Sequence, residues 1–154
     1  MRSHLSKAKR IDNGQWVEGY YQQRYDSFGT LEHLICYSKS ANVWGKINVD
    51  PKTLCDDTEL TDHDGRKIWE NDIIRLHDFT AEDYIVTWSK EMGAYVICSA
   101  ITKLEFPDLV GDCVQECPYT EVVGNVFDNP ELLKEHNLYC ENNKRNVEAE
   151  HEFK

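Results

Sequence analysis

The stretch from Glu59 to Leu76 constrains the fold of this chain more than any other segment. It reads ELTDHDGRKIWENDIIRL and alternates turn-forming residues with short apolar segments. Gly65 can adopt the left-handed backbone conformation that an Asp-Gly turn requires. Asn71 is the next most tolerant residue type for that conformation. The stretch therefore predicts a chain that reverses twice within one small β unit.

The same stretch resembles the central motif of the YopX family of phage and prophage proteins. The resemblance departs from the family pattern at Trp69, where Tyr is usual, and at Asn71, where Gly is usual. The second departure agrees with the turn argument, because both residue types tolerate a left-handed backbone. The positions that match the motif are Leu60, Asp62, Gly65, Lys67, Ile68, Glu70, Asp72, Ile73 and Ile74.

Two further segments resemble blocks of the same family. Arg10 to Tyr20 is similar to the opening block, and Glu121 to Leu133 is similar to the closing block. The resemblance spans about residues 9 to 134 and implies a β-rich fold that contains a small SH3-type barrel. It implies no known catalytic residues, so none is carried over to this chain.

Length and charge limit the classes of function. A chain of 154 residues forms one domain or two small ones. Its net charge of −11 makes binding through phosphate contacts unfavourable, because such affinity depends on basic residues that displace counterions. An acidic surface suits a basic partner or the imitation of nucleic acid. Solubility is the simpler explanation for it.

The sequence indicates a cytosolic protein, and the resemblance to phage and prophage proteins implies the cytosol of a bacterial host. No apolar run approaches the roughly 20 residues that span a membrane, and Met1 to Arg10 is basic without an apolar core behind it. We therefore expect no membrane contact and reduced thiols. The six cysteines are Cys36, Cys55, Cys98, Cys113, Cys117 and Cys140.

Strand patterns predict an N-terminal β subdomain over residues 10–56, and residues 1–10 are expected to be loosely held. Asn13-Gly14 is a hairpin turn signal, and Asp50-Pro51 ends the last strand because proline cannot donate to a ladder. The strands between them are expected at Gln15–Arg24, Leu31–Tyr37 and Val43–Val49.

Strand spacing and turns, together with the family resemblance, predict an SH3-like barrel over residues 57–138, followed by a flexible tail over 139–154. Asn129-Pro130 is typical of a helix start and predicts one short C-terminal helix. Residues 104–118 contain Pro107, Gly111 and Pro118, which favour an irregular excursion between strands. The remaining strands are expected at Ile73–Leu76, at Tyr84–Trp88 and Ala94–Cys98, which form a hairpin, and at Val122–Phe127.

The sequence Asp62-His63-Asp64-Gly65 invites a metal or acid–base interpretation. A calcium loop counted from Gly65 would place its terminal ligands at Leu60 and Asn71, which cannot bind as that loop requires. His63 could act as a general base, but no nucleophile is indicated beside it. We therefore interpret the segment as a solvated turn.

Two other groups of residues, one of cysteines and one of aromatic residues, have simpler explanations than a functional site. Cys113 and Cys117 lack the spacing and the second pair of a zinc site, and whether they pair with each other stays open. The aromatic residues could form a stacking platform for single-stranded nucleic acid. Acidic residues surround them, so core packing or a subunit interface is favoured. The set comprises Trp16, Tyr20, Tyr21, Trp44, Trp69, Trp88 and Tyr95.

The sequence thus predicts a mainly β protein with no catalytic, cofactor-binding or metal-binding residues and no cofactor. The favoured function is a non-enzymatic protein-interaction module of phage or prophage type that forms a homo-oligomer and binds an unknown protein partner. Enzymatic activity is not the favoured hypothesis. The alternatives are a metal-dependent or nucleic-acid-processing accessory protein that uses His63, Asp62, Asp64 or the cysteines, and an acidic nucleic-acid mimic.

Overall fold

A computed structural model describes residues 5–77, 82–100, 105–117 and 119–133 of the chain. The expectation of a mainly β protein is confirmed, because eleven strands account for most of these residues. The chain divides into two compact units, Met1–Glu59 and Leu60–Lys154. The predicted tail over 139–154 and the end of the predicted barrel, 134–138, lie outside the described residues.

The first unit is built on an antiparallel sheet with the strand order β4-β3-β2-β1-β5. A short 3₁₀ turn at Pro51–Thr53 precedes β5, and the Asp50 carboxylate caps it by accepting a hydrogen bond from the Lys52 backbone N–H. The strands are β1 (Leu5–Lys9), β2 (Trp16–Tyr25), β3 (Leu31–Ser40), β4 (Val43–Asn48) and β5 (Cys55–Thr61), which continues into the second unit.

Side-chain alternation gives the first sheet two different faces. Tyr21 lies opposite Ile35, which lies opposite Ile47, so these three side chains share one face. That face carries the apolar core of Ala8, Ile35 and Val49, packed by Val17, Tyr21, Tyr37, Ile47 and Leu54. On the opposite face, which we call the outer face, lie Trp16, Tyr20, Trp44 and Lys46.

The first strand begins earlier than the sequence indicated. Residues 1–10 were expected to be loosely held, and this is wrong for Leu5–Lys9, which pair along their length with β2. Ala8 is fully buried there, because a short polar-looking strand can still place one small apolar side chain in the core. The predicted turn at Asn13-Gly14 is confirmed, with Gly14 at a φ of 72°.

The second unit contains a five-stranded antiparallel sheet with the order β10-β9-β8-β7-β11. Its core is formed by Ile68, Ile74, Leu76, Tyr84, Val86, Ile97, Val110 and Cys117. The elements are β6 (Lys67–Trp69), β7 (Asp72–Leu76), β8 (Asp83–Ser89), β9 (Ala94–Ser99), β10 (Glu105–Leu109), α1 (Val110–Glu116) and β11 (Thr120–Asn125).

The double reversal predicted for the central stretch is confirmed. Gly65 and Asn71 have φ values of 80° and 69°, so both predicted positions are left-handed. The first turn joins β5 to β6 and the second joins β6 to β7. Glu59 also has a positive φ, of 65°, which the sequence did not indicate because glutamate is not a turn-forming residue.

The helical predictions were partly wrong. Helix α1 occupies Val110–Glu116, inside the segment that was expected to be irregular. At the predicted C-terminal helix, residues 131–133 are helical and the following residues lie outside the described part. The side-chain oxygen of Asn129 accepts a hydrogen bond from the Asn125 backbone N–H, 3.1 Å away.

Charge is distributed unevenly between the two units. Residues 1–59 contain eight lysines and arginines and eight acidic residues, so residues 60–154 carry the whole net charge of −11. In the described ranges there is no helix with the length and apolar character needed to cross a membrane.

Candidate functional site

The turn between β5 and β6 brings the sequence candidates Asp62, His63 and Asp64 together. Asp62 is almost fully buried. One of its carboxylate oxygens accepts hydrogen bonds from the backbone N–H groups of Asp64 and Arg66, at 3.0 and 2.9 Å. The other accepts a hydrogen bond from the Val122 backbone N–H, 3.1 Å away in β11. Asp62 therefore fixes both the turn and the neighbouring strand.

These hydrogen bonds change the acidity of Asp62. Burial alone would raise the pKa of its carboxyl, because a charged group is less well solvated inside the protein. The backbone N–H groups of Val122, Arg66 and Asp64 stabilise the charged form, and their sum holds the pKa below the ordinary value. Asp62 is thus an ionised structural acceptor.

His63 is held in one orientation by the same strand. Its backbone N–H donates to the Thr120 carbonyl at 3.0 Å, and its ring Nδ1 lies 2.8 Å from the same oxygen. A carbonyl only accepts, so Nδ1 carries a proton. The other ring nitrogen, Nε2, lies 3.3 Å from a carboxylate oxygen of Asp64, and Tyr119 packs edge-on with ring centroids 6.4 Å apart.

This cluster has some features of a cation site. One ligand atom from each of Asp62, His63 and Asp64 lies within 4.8 Å of the others. A metal-binding histidine commonly donates its second ring N–H to a carbonyl, as His63 does to Thr120. However, three backbone hydrogen bonds already occupy the Asp62 carboxylate. The contacts observed here therefore stabilise the turn.

A second histidine–carboxylate pair lies in the same unit and was missed by sequence reasoning. Nε2 of His77 lies 2.7 Å from a carboxylate oxygen of Glu121. This hydrogen bond lowers the pKa of Glu121, and the electrostatic interactions with His77, His63 and Arg66 add to it, against an opposing effect of burial. The two residues are 44 positions apart, and only the pairing of β7 with β11 brings them together.

The cysteine candidates belong to the core of the second unit. Cys113 is half-buried, Cys117 is buried, and neither forms a disulfide. The Cys117 thiol donates to the His77 carbonyl, 3.0 Å away. Cys98 is buried as well, whereas Cys140 lies outside the described residues. The thiols are therefore packing groups attached to α1 and β9.

The aromatic set separates into packed and exposed members. Trp69 is buried, and Trp88 packs edge-on against Tyr95 with ring centroids 5.0 Å apart. By contrast, Trp44 and Tyr20 on the outer face are 60% and 50% exposed. Their ring centroids are 6.1 Å apart, which forms a small exposed aromatic pair.

Trp44 lies on a sheet edge, because β4 ends the order of strands in the first unit. The Val49 N–H donates to the His33 carbonyl in β3, so by alternation Gly45 and Ile47 also face β3. The backbone groups of Trp44 and Lys46 therefore point away from the sheet. The Asn48 carbonyl also points away, and it accepts a hydrogen bond from the Ile11 N–H, 3.1 Å away.

We call residues 43–46 the free edge of β4, since no strand of the described residues pairs with them on this side and the Ile11 contact covers the strand beyond them. It belongs to a unit with many exposed apolar side chains. Among the described residues, nine large hydrophobic side chains are exposed, and only Met92 and Tyr119 of these lie in the second unit. The others are Ile11, Tyr20, Tyr25, Phe28, Leu31, Val43 and Trp44. Among the described residues, the first unit therefore carries most of the exposed large apolar side chains.

Comparison with known proteins gives a family and a structural likeness. The sequence model of one protein family, described as "YopX protein", matches residues 8–134. The chain is also similar to the X-ray crystal structure of protein YopX from Bacillus subtilis, at 18% sequence identity and a TM-score of 0.44. That match covers 86% of this chain and 97% of the other. No curated protein matches the sequence.

Proposed function

We propose, from the premise that this chain belongs to the YopX family, that it is a non-enzymatic protein-interaction module. It acts as a homo-oligomer in the cytosol of a bacterial host and is of phage or prophage origin. Its protein partners bind through the first unit. It uses no cofactor, and it makes no contact with membranes or with nucleic-acid phosphates.

The observation that carries this proposal is the exposure of aromatic and aliphatic side chains on the first unit. Phe28 is 92% exposed at the tip of the β2–β3 hairpin. The Asp26 carboxylate holds this tip in place by accepting hydrogen bonds from the Phe28 and Thr30 N–H groups. Apolar groups held in water by ordered backbone are typical of interfaces that are already organised for binding.

The charge distribution supports contacts between proteins. The first unit has no net charge, so its apolar surface meets a partner without strong repulsion. The second unit is strongly acidic, which disfavours phosphate backbones. The Asp62 carboxylate and the His63 ring form hydrogen bonds with backbone groups. The cluster of Asp62, His63 and Asp64 therefore has a structural role, which favours a non-enzymatic function.

For the fold of the second unit we propose an SH3-type barrel. The strand order supports it, because β7 to β10 follow one another as a meander and the last strand, β11, lies beside the first. Helix α1 stands between β10 and β11. Among the described residues β10 and β11 do not pair with each other, so the sheet is open there.

Light scattering coupled to gel filtration tests the self-association at tens of micromolar protein. We expect a mass of at least twice 18.0 kDa that falls on dilution. Tyr20→Ser combined with Trp44→Ser should shift the protein toward monomer. The matched control is Tyr119→Ser, which removes an exposed aromatic side chain from the second unit. A strict monomer for the unaltered chain would refute the homo-oligomer.

A metal-dependent accessory protein is the second candidate, favoured by the closeness of the Asp62, His63 and Asp64 ligand atoms. Elemental analysis of protein purified without chelator separates the two candidates. About one equivalent of zinc, lost in His63→Gln and kept in His33→Gln, would support the metal-dependent function. Less than a tenth of an equivalent would support the interaction module.

A further inference from the structure

We infer that two copies of this chain pair antiparallel through the free edge of β4, with Gly45 of one copy directly opposite Gly45 of the other. The inference rests on the proposed self-association and deepens it, since it names the strand, the register and the contacts. A two-fold axis through this point gives a closed dimer, because the same surface is used by both copies.

The backbone groups of the free edge are self-complementary in this register. With Gly45 at the centre, Trp44 of one copy lies opposite Lys46 of the other. Both residues point their N–H and C=O groups away from β3, as the hydrogen bond from Val49 to His33 establishes. Directly opposite residues of this kind exchange two hydrogen bonds. The two symmetric pairs therefore form four hydrogen bonds across the axis.

The outer face gains a favourable contact in the same register. Directly opposite side chains lie on one face of a sheet. Lys46 of one copy therefore meets the exposed ring of Trp44 in the other, where an ammonium and an indole attract each other. Because each Lys46 meets a ring, the two lysines do not face each other.

The opposite face gains an aliphatic contact. Val43 of one copy lies opposite Ile47 of the other, since each is two residues from the Gly45 centre. Val43 is 49% exposed and Ile47 is partly exposed in the single chain. Pairs that are not hydrogen-bonded approach most closely, so these two β-branched side chains are well placed to exclude water.

Two neighbouring registers also place outward-facing backbone groups opposite each other, but both are less favourable. Centring the axis on Lys46 would place the two ammonium groups opposite each other. It would also need the Asn48 carbonyl, which already accepts from Ile11. Centring it on Trp44 would pair Lys46 with Asn42, whose φ of 63° places it in the tight β3–β4 turn. Only the Gly45 register uses every outward group of the free edge.

Cysteine cross-linking tests the register. The variants Trp44→Cys and Lys46→Cys are made in chains that also carry Cys36→Ser, because Cys36 lies directly across from Lys46 in β3. A hydrogen-bonded pair has Cα atoms about 5.5 Å apart, within disulfide range, whereas two copies of residue 44 would be about 9 Å apart. The two variants are mixed in a glutathione buffer, with one chain carrying a mass tag.

We expect a disulfide in the mixture and little in either variant alone. The mixed dimer also keeps one Trp44–Lys46 contact, so its interface is not lost. A disulfide in Trp44→Cys alone or in Lys46→Cys alone would refute the Gly45 register. Scattering that shows a dimer, with no cross-link in any sample, would refute pairing at β4 and leave the proposed function standing. A monomeric parent chain would refute both.

A second pair of variants separates backbone pairing from side-chain contact. Lys46→Pro removes the N–H that donates to the partner copy, and proline is tolerated on a free edge. Lys46→Ala removes the same side chain but keeps the N–H. We expect at least a tenfold weaker dimer for Lys46→Pro than for Lys46→Ala, because two hydrogen bonds are lost. Equal dissociation constants, in variants with unchanged circular dichroism, would refute strand pairing.

Discussion

The carboxylate of Asp62 accepts a hydrogen bond from the backbone N–H of Val122, at 3.1 Å and across 60 positions of sequence. One side chain thus joins the β5–β6 turn to β11, the last described strand. The same carboxylate closes the turn on itself through the Asp64 and Arg66 N–H groups. Asp62 is one of the positions that match the family motif, and its role in this chain is to hold the second unit together.

Replacing Asp62 should therefore destabilise the second unit. Asp62→Ala removes three hydrogen bonds to a charged acceptor and leaves backbone donors unpaired. We expect the free energy of unfolding to fall by about 3 kcal/mol. Urea unfolding followed by circular dichroism measures the change. Asp64→Ala is the matched control, because that side chain is largely exposed and its loss should cost less than about 0.5 kcal/mol. Equal losses for both variants would contradict the assigned role.

The stabilisation by Asp62 should depend on pH. Its folded pKa is lowered, so its contribution is fully present above the unfolded value of 3.8 and is lost as the pH falls through the folded pKa. The difference in unfolding free energy between the parent chain and Asp62→Asn should be constant from pH 7 to 5. It should shrink below pH 4. A difference that stays unchanged at pH 3 would show that ionisation of Asp62 does not stabilise the fold.

The second turn can be tested at Asn71. Its φ of 69° penalises any Cβ, whereas glycine adopts this conformation freely. Asn71→Ala and Asn71→Gly both remove the side chain, so the difference between them isolates the backbone effect. We expect the Gly variant to be more stable by about 1 kcal/mol, measured by urea unfolding.

The control for that comparison is Thr87 in the middle of β8. At an ordinary strand position glycine loses more backbone entropy than alanine, so Thr87→Gly should be less stable than Thr87→Ala by about 0.5–1 kcal/mol. The sign of the difference should therefore reverse between the two sites. The same sign at both would mean that the conformation of Asn71 does not limit stability.

The two predicted turns show what sequence can establish. Gly65 and Asn71 were identified because backbone conformation at a tight turn depends on the residue itself. Strands β2, β4 and β8 were identified for a similar reason, since alternation is a local pattern, and β3 was identified from its apolar run. Helix α1 was missed because seven residues give too few turns for a helical period, and prolines on both sides favoured an irregular segment.

The contacts that define candidate sites were not available from sequence. The pairing of His77 with Glu121 depends on which strands are neighbours, because the two residues are 44 positions apart. The sequence predicted a strand at Val43–Val49. It could not indicate that β4 lies at an edge, because edge position is a property of the whole sheet. The exposure of Trp44 follows from that position.

The pairing of Arg75 with Asp83 should contribute more stability than an ion pair on the surface. Two nitrogens of Arg75 donate to the two carboxylate oxygens of Asp83, at 2.8 and 3.1 Å, and the Asp83 side chain is only 6% exposed. A double-mutant cycle with Arg75→Ala and Asp83→Ala should give a coupling energy of about 1–2 kcal/mol.

The matched control for that cycle is Arg24 with Glu32, which is joined by a 2.8 Å contact between more exposed side chains. Its coupling energy should be under about 0.5 kcal/mol and should fall with added salt. Similar coupling energies for the two pairs would show that burial of Asp83 does not strengthen its interaction with Arg75.

Gly45 also limits which residues of β4 can prevent further strands from adding to its free edge. A Cβ there would lie 2.5 Å from Cε of Lys39 and 2.9 Å from the Tyr37 ring, so a charged gatekeeper at this position would require both side chains to move. Lys46 is then the one charged side chain on the free edge. Edge strands commonly rely on such a lysine to prevent aggregation by further strand addition. Acetylation of this ammonium would therefore weaken both the protection of the edge against further strand addition and the contact with Trp44 of the second copy.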